Sequence, residues 1–350
     1  MTGNKHGIAI VGFGGMGSQH GKKISEVDRA ELVGTFDIAE ERQLVAKERG
    51  LHTYNSFEEL LSDEKVEIVL IATPNDSHRD LAIQAFKAGK DVICEKPVTL
   101  NSEELQDILD HAKEYNRVFA VHQNRRWDED YLVMKKLYDE KTIGDVFNVE
   151  SRVHGSRGIP GDWRHQVEYG GGMMLDWGVH LIDRITLMIP EKIKSIYCKL
   201  SYVLGNEVDD GFIMHLTFES GKTALIEVGT TNYISLPLWY MKGTAGTAMI
   251  KDWSMEGKYT KVSQADDHDA TPIEAGAGLT KTMAPRINDT VEEFPIPRID
   301  TDIRDFYHNV MDVMEGKAEQ IVKNDEVMRV MKIMEAAFLS SELNKVVDFE

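Results

Sequence analysis

The run Ile8-Ala9-Ile10-Val11-Gly12-Phe13-Gly14-Gly15-Met16-Gly17 joins four consecutive apolar residues to a spaced set of glycines. An unbroken apolar run is what a parallel strand covered on both faces requires. The glycines fit the spacing G-x-G-x-x-G. The first permits a tight turn, the second lets backbone approach a pyrophosphate, and the third lets helix and strand pack closely. A helix over about residues 18–27 follows, its N-terminal amides facing the phosphates. Residues 31–36 read as the next strand, ending at Asp37, 20 residues beyond Gly17. That is the spacing of a carboxylate that accepts hydrogen bonds from the adenosine ribose hydroxyls. The same carboxylate would repel a 2′-phosphate, and Ile38 beside it supplies no cation, so NAD is favoured over NADP. Asp37 can equally cap the helix that begins near Glu40.

Strand and helix alternate onward from this unit. A helix over residues 40–49 is followed by Ser56-Phe57-Glu58-Glu59, a capping box. A strand over 66–72 ends in Thr73-Pro74-Asn75, with His78 just before a helix over 79–87. Val92, Ile93 and Cys94 form a short apolar strand that Pro97 stops, since proline offers no N–H to a ladder. Glu95 and Lys96 are thereby left at a carboxyl strand end, the edge at which open α/β sheets bind ligands. A lysine there could move a proton to or from a hydroxyl; taken alone, the tripeptide reads first as a surface turn with solvated charges. A helix over 103–115 and a strand over 118–121 complete the pattern. Residues 1–122 are therefore expected to form a doubly wound parallel sheet.

The period changes after Trp127. A helix over 129–139 is followed by period-two alternation: Phe147, Val149, Ser151 and Val153 on one face, then Ile196, Cys198, Leu200 and Tyr202, then Phe212, Met214, Leu216 and Phe218. Glu219-Ser220-Gly221-Lys222 makes a hairpin turn, and residues 238–242 and 247–251 form another hairpin. Residues 123–350 are expected to be an α+β domain on a largely antiparallel open sheet, its last helix packing back on the first domain through Met328, Met331, Met334 and Phe338. Residues 264–298 read as acidic and irregular. Within a helix over 173–189, Asp176 and His180 stand four apart and share a face. A carboxylate and an imidazole so placed can hold a hydroxyl and relay its proton, although the same spacing suits an ordinary surface pair.

Composition narrows the classes. The chain of 350 residues carries a net charge of −19 with its basic residues unclustered, which argues against a nucleic-acid partner. Two cysteines, Cys94 and Cys198, make no disulfide framework. No apolar run is long enough to cross a bilayer, and the polar N-terminus leads straight into a strand, so a cytoplasmic location is expected. The twelve histidines are scattered, and Asp176 with His180 alone does not make a zinc site, so no metal is expected. Alternate positions on the second face of the open sheet, Tyr197, Val203, Ile213 and Leu225, are partly apolar, which suggests a homodimer or homotetramer.

The Gly12–Gly17 turn, Thr73-Pro74-Asn75 with His78, Ala88-Gly89-Lys90, Glu95-Lys96-Pro97 and Asn124-Arg125-Arg126 resemble the Gfo/Idh/MocA oxidoreductases, as does Gly171-Gly172 followed by Leu175, Asp176, Gly178 and His180. This is the family of glucose-fructose oxidoreductase and inositol 2-dehydrogenase. The resemblance implies a Rossmann domain, with Gly12, Phe13, Gly14, Gly15, Met16, Gly17, Asp37, Thr73, Pro74, Asn75, His78, Glu95 and Lys96 serving the cofactor. It implies a catalytic set of Lys96, Asp176 and His180, and NAD-dependent oxidation of a secondary alcohol of a sugar, inositol or related polyol. His180 would take the hydroxyl proton, Lys96 would polarise the oxygen, and Asp176 would orient sugar and imidazole. Arg125, Trp163, Arg164 and Tyr233 are candidates for the pocket wall. Two alternatives remain: a relative that uses NAD transiently to cleave a glycosidic bond, and an NAD- or sugar-sensing regulator without turnover. Retention of the whole proton-transfer set argues against the regulator.

Overall fold

The structure is a computed structural model that describes residues 5–262, 273–275, 277, 279–281 and 290–350. Its first half alternates β1 (His6–Val11), α1 (Gly15–Ser25), β2 (Ala30–Phe36), α2 (Glu40–Glu48), α3 (Phe57–Ser62), β3 (Ile68–Ile71), α4 (His78–Lys87), β4 (Asp91–Cys94), α5 (Ser102–Glu114) and β5 (Phe119–Val121). The five strands are parallel in the order β2-β1-β3-β4-β5. Ile8–Val11 and all of β3 and β4 are buried, as strands with helices on both faces must be. The strand order reverses between β1 and β3, which opens a crevice beyond their carboxyl ends. Helix α1 begins three residues earlier than the sequence suggests. Gly12 alone takes the positive φ, +87°, and the chain is already helical by Gly15, with Ser18 N bonded to Gly14 O at 3.0 Å.

The second half contains α6 (Glu129–Asp139), β6 (Val146–His154), α7 (Val179–Met188), β7 (Ile193–Ser201), β8 (Gly211–Phe218), β9 (Thr223–Gly229), β10 (Trp239–Gly243), β11 (Gly246–Ile250), β12 (Gly257–Val262), β13 (Ile273–Ala275), β14 (Leu279–Lys281), β15 (Val291–Pro295), α8 (Arg304–Met314), α9 (Asn324–Leu343) and β16 (Val347–Asp348). Nine strands form one sheet in the order β15-β12-β11-β10-β6-β9-β8-β7-β16, and β13 pairs with β14 apart from it. Pairing in the large sheet is antiparallel except between β6 and β9. Alternation places Cys198, Met214 and Leu216 inward as expected. Phe147 departs from the pattern and is exposed. The register slips between Lys242 and Gly243, so Val146 takes the inward place. The expectation of irregular chain over 264–298 is corrected at β15, which extends the sheet edge, and at the paired β13 and β14; most of the remainder lies outside the described residues.

Helix α9 joins the two halves. Glu335 accepts from the Ser102 amide at 2.6 Å and the Ser102 hydroxyl at 2.8 Å, while Ser340 and Ser341 accept from the amides of Cys198 and Leu200 in β7. Arg126 reaches α7 through a two-pronged pair with the buried Asp183, at 2.9 and 2.7 Å, and also meets Glu326. Losing one partner of such a buried pair costs roughly 3–5 kcal/mol, so this arginine holds structure. No helix among the described residues is long and apolar enough to cross a membrane.

The helix expected over 173–189 is divided. A π-helical turn spans Met174–Gly178 and passes into α7, an irregularity common at functional sites. Asp209 fixes its start: Asp209 Oδ2 accepts from Met174 N at 2.8 Å, and Asp209 O from Met173 N at 3.0 Å. Gly172, at φ +99°, is required there, because a Cβ would lie 2.2 Å from Asp209 Oδ1. Burial pushes the Asp209 carboxyl up to about 7 despite these backbone donors. A raised folded-state value contributes stability at low pH that is lost as pH rises from the ordinary 3.8 through about 7. Asp209→Asn should therefore gain melting temperature relative to the unaltered protein as pH goes from about 5 to about 8. A difference between the two that stays constant across that range would contradict a buried, protonated Asp209.

Candidate active site

Where β1 ends, a Cβ on Gly12 would meet Ala72 O at 2.7 Å, and one on Gly17 would meet Gly12 O at 1.9 Å. Glycine is needed at both for strand and helix to approach. Around Gly14 and Gly15 an added Cβ would meet nothing within 4 Å. The start of α1 thus opens onto free space, and the amides of Gly15, Met16 and Gly17 have no partner within the helix. Phe13 is buried and its amide donates to Asp37 Oδ2 at 2.7 Å; Ala39 N donates to Oδ1 at 2.9 Å. Asp37 therefore does orient the chain entering α2, yet each oxygen keeps a lone pair for a hydroxyl. Arg49 lies over the Phe13 ring at 5.6 Å. An open cradle of amides beside a carboxylate at the neighbouring strand end fits a dinucleotide.

The next strand ends supply the floor. Thr73 Oγ1 shares a hydrogen bond with Ser77 Oγ at 2.7 Å, and Pro74 leads into a single 3-10 turn. Asn75 is buried and donates to Gly170 O at 3.1 Å, which couples this loop to the triple-glycine segment. His78 is fully buried between Thr73 O at 2.9 Å and Val98 O at 3.1 Å, so its ring ties two loops together. Glu95 is buried as well, its Oε1 accepting from His20 Nε2 and His122 Nδ1.

Lys96 points the other way. Its Nζ donates to Asp176 O at 3.1 Å and Asp176 Oδ1 at 3.2 Å, across 80 residues of sequence. Arg164 Nε takes the second carboxylate oxygen at 3.2 Å. Burial works to raise the Asp176 carboxyl, but the Lys96 and Arg164 cations outweigh it and hold the group below its ordinary value. His180 is buried on α7, with the Trp177 ring edge-on at 5.9 Å and Nδ1 without a partner. Burial chiefly, then the charges of Lys96, Arg125 and Arg184, drives His180 well below the usual histidine range, so the ring is neutral near pH 7. Among the described residues no hydrogen bond joins Asp176 to His180. The expected orientation of the imidazole by Asp176 is corrected on this point: both carboxylate oxygens are engaged by cations.

Asp176 also lines a cavity of about 470 Å³, with Arg125, His154, Trp177, Thr230 and Trp253 among its walls. This volume suits one sugar-sized ligand. The Arg125 guanidinium lies 4.8 Å from the Trp177 ring and 5.7 Å from the Trp253 ring, pairs with Asp128 at 3.1 Å, and keeps Nε buried without a partner. The run after β5 holds further buried polar atoms without protein partners, at His122, Gln123 and Asn124. Trp163 stands apart from the cavity wall, stacked under Arg164 at 4.6 Å. Tyr233 is not brought to the site in the single chain and is 86% exposed. Trp177, Trp253 and His154 were not legible as pocket residues. Trp177 had a signal in its place beside Asp176; Trp253 and His154 are brought in by β11–β12 and β6 through tertiary pairing alone.

The chain matches the family model described as "Oxidoreductase family, NAD-binding Rossmann fold" over residues 6–123 and the "GFO/IDH/MocA C-terminal domain" over residues 131–249. It is 30% identical over 306 residues to an uncharacterized oxidoreductase of Schizosaccharomyces pombe, covering 83% of each chain. It is 26% identical to scyllo-inositol 2-dehydrogenase (NADP(+)) of Bacillus subtilis, covering 98% of this chain and 96% of that one. Among solved structures it superimposes on an NAD-binding protein from Listeria innocua with a TM-score of 0.95, 51% identity and 99% of each chain covered. With its parallel nucleotide-binding sheet, open antiparallel sheet and Lys96–Asp176 contact between them, the chain belongs to the Gfo/Idh/MocA family of NAD-binding oxidoreductases.

Proposed function

We propose that the protein is an NAD-dependent dehydrogenase that oxidises a secondary alcohol of a sugar, inositol or related polyol. The observation that carries this reading is the contact of Lys96 with Asp176, which lines a sugar-sized cavity and stands four residues before a neutral His180. The nicotinamide would supply the hydride acceptor, its pyrophosphate held at Gly14–Gly17 and its adenosine ribose at Asp37. His180, neutral and with an unpartnered nitrogen, takes the hydroxyl proton. Lys96 donates to the same oxygen as negative charge develops there. Asp176 holds the ammonium in place and keeps lone pairs for a neighbouring hydroxyl, while Arg164 fixes the carboxylate. Trp177 and Trp253 offer ring faces to the apolar side of a sugar. The uncovered sheet face, where Ile213 is exposed, supports a homodimer or homotetramer, which sedimentation at micromolar concentration would register as a mass above that of the 39.6 kDa chain.

If Lys96 polarises the reacting oxygen, Lys96→Ala should keep the fold and NAD binding, with a lowered melting temperature because Asp176 loses one of its two cations, while kcat falls by roughly 10²–10⁴. His180→Ala should resemble it, and the double variant should lose less than the product of the single losses. A Lys96→Ala enzyme with near-normal kcat would remove this residue from the chemistry.

The cofactor preference rests on Asp37, whose charge opposes a 2′-phosphate. Fluorescence titration should give a smaller dissociation constant for NADH than for NADPH. Asp37→Ala, which removes that charge and leaves Arg49 in place, should narrow the gap. Tighter binding of NADPH by the unaltered protein would contradict the assignment.

A further inference from the structure

We propose that Glu95, held as a buried anion by a cage of His20, His122 and Tyr307, biases the site toward the oxidised, positively charged form of the nicotinamide cofactor. Glu95 follows the last residue of β4 and is 5% exposed. Its Oε1 accepts from His20 Nε2 at 2.8 Å and from His122 Nδ1 at 2.8 Å, and its Oε2 accepts from the Lys96 amide at 3.1 Å. The Tyr307 hydroxyl lies 2.7 Å from His20 Nδ1. The proton count follows from these contacts. Tyr307 donates to His20 Nδ1, and His20 donates from Nε2. His122 donates from Nδ1 and leaves its buried Nε2 without a partner. One proton on each ring is enough to fill every hydrogen bond in the chain, and with that proton inventory the cluster as a unit carries a single negative charge. Three N–H donors, from His20, His122 and the Lys96 amide, converge on the two oxygens, and hydrogen bonds of this kind favour the ionised carboxylate.

No Lys or Arg side chain is hydrogen-bonded or ion-paired to this carboxylate among the described residues. The ammonium of Lys96, one position along, is turned away to Asp176. The carboxylate therefore has imidazoles and a backbone amide, and no Lys or Arg, as its partners, at the carboxyl edge of the parallel sheet and immediately beside the lysine that meets the reacting hydroxyl. A nicotinamide ring that reaches this lysine lies in the field of Glu95. That ring is positive when oxidised and neutral when reduced, so a fixed anion in a poorly screened interior strengthens binding of the oxidised form selectively. The consequence is a site that loads NAD readily and releases NADH.

The same three side chains, His20, Glu95 and His122, form a group whose ligand atoms lie within 4.8 Å of one another. Both imidazole protons point at the carboxylate oxygen, however, and occupy the place a cation would need. The cluster is therefore complete as a hydrogen-bonded anion.

The inference rests on the dehydrogenase reading only in requiring the ring to reach Lys96. Its test uses cofactor binding without substrate, so a wrong substrate class leaves it intact. Dissociation constants for NAD and NADH should be measured by calorimetry on the unaltered protein, Glu95→Gln and Glu95→Asp. The unaltered protein should bind NAD at least as tightly as NADH. Glu95→Gln keeps a carbonyl oxygen for both imidazoles and removes the charge; NAD binding should weaken by roughly tenfold or more while NADH binding changes by less than about threefold. Glu95→Asp keeps the charge and should keep the unaltered ratio. Equal weakening of both cofactors in Glu95→Gln would show a purely structural role and overturn the proposal. So would a preference for NADH in the unaltered protein, a result that stands even if neither variant folds. Retention of one equivalent of zinc through dialysis by the unaltered protein, lost in Glu95→Gln, would overturn it too by assigning the cluster to a cation.

Discussion

An ammonium at the end of β4 and a carboxylate in the turn before α7 meet across 80 residues of sequence, and the site exists because they do. Lys96 and Asp176 are each only 12% exposed at the side chain. Removing both from water costs several kcal/mol per ion, and their attraction offsets this only if further hydrogen bonds fill the remaining positions. Arg164 on the second carboxylate oxygen and the Asp176 carbonyl on Lys96 Nζ do so. The same contact ties the end of β4 to the turn before α7. Asn75 on Gly170 and Ser102 on Glu335 hold that relation from either side. The ion pair is thus satisfied before any ligand enters the cavity that Asp176 lines, the kind of prior orientation on which electrostatic catalysis depends.

Neighbouring residues in this protein carry opposite duties, since successive side chains leave an extended chain in opposite directions. Glu95 turns into the interior toward His20 and His122, and Lys96 turns out to Asp176. Two residues after Gln123 the pattern recurs in a turn: Arg125 faces the cavity between Trp177 and Trp253, whereas Arg126 locks onto Asp183 and Glu326. Substitutions at Glu95 and Lys96, or at Arg125 and Arg126, will thus fall into different classes of defect despite being adjacent.

Much of the first domain was legible because its signals are local. An apolar run, a glycine spacing and an aspartate at fixed distance each report on a few consecutive residues, and β1, the Gly12–Gly17 turn and β2 stand as they imply. Boundaries shifted where a local rule has freedom, as at the start of α1. The inward face of β6 was misjudged at Phe147 because a bulge leaves no mark in the alternation. The π-helical turn reads as ordinary helix for the same reason. Sequence spacing put Asp176 near His180, but the partners it takes are Lys96 and Arg164, which no spacing relates to it. The cage around Glu95 draws on residues 20, 122 and 307, and Trp253 reaches the cavity through strand pairing. Such groupings appear only once the chain is folded. Tyr233 shows the converse: an aromatic in a promising loop that stays in solvent.

The central claim is that hydride passes from a carbinol carbon of a polyol to the nicotinamide, with net reduction of the cofactor. A panel of inositols, sugars and sugar acids deuterated at the carbinol carbons, incubated with NAD and the enzyme, tests this most directly when the cofactor is recovered and its mass measured. One substrate class should yield accumulating NADH that carries a single deuterium on the nicotinamide ring. Consumption of a substrate with no NADH accumulating, or NADH formed without the label, would contradict the account.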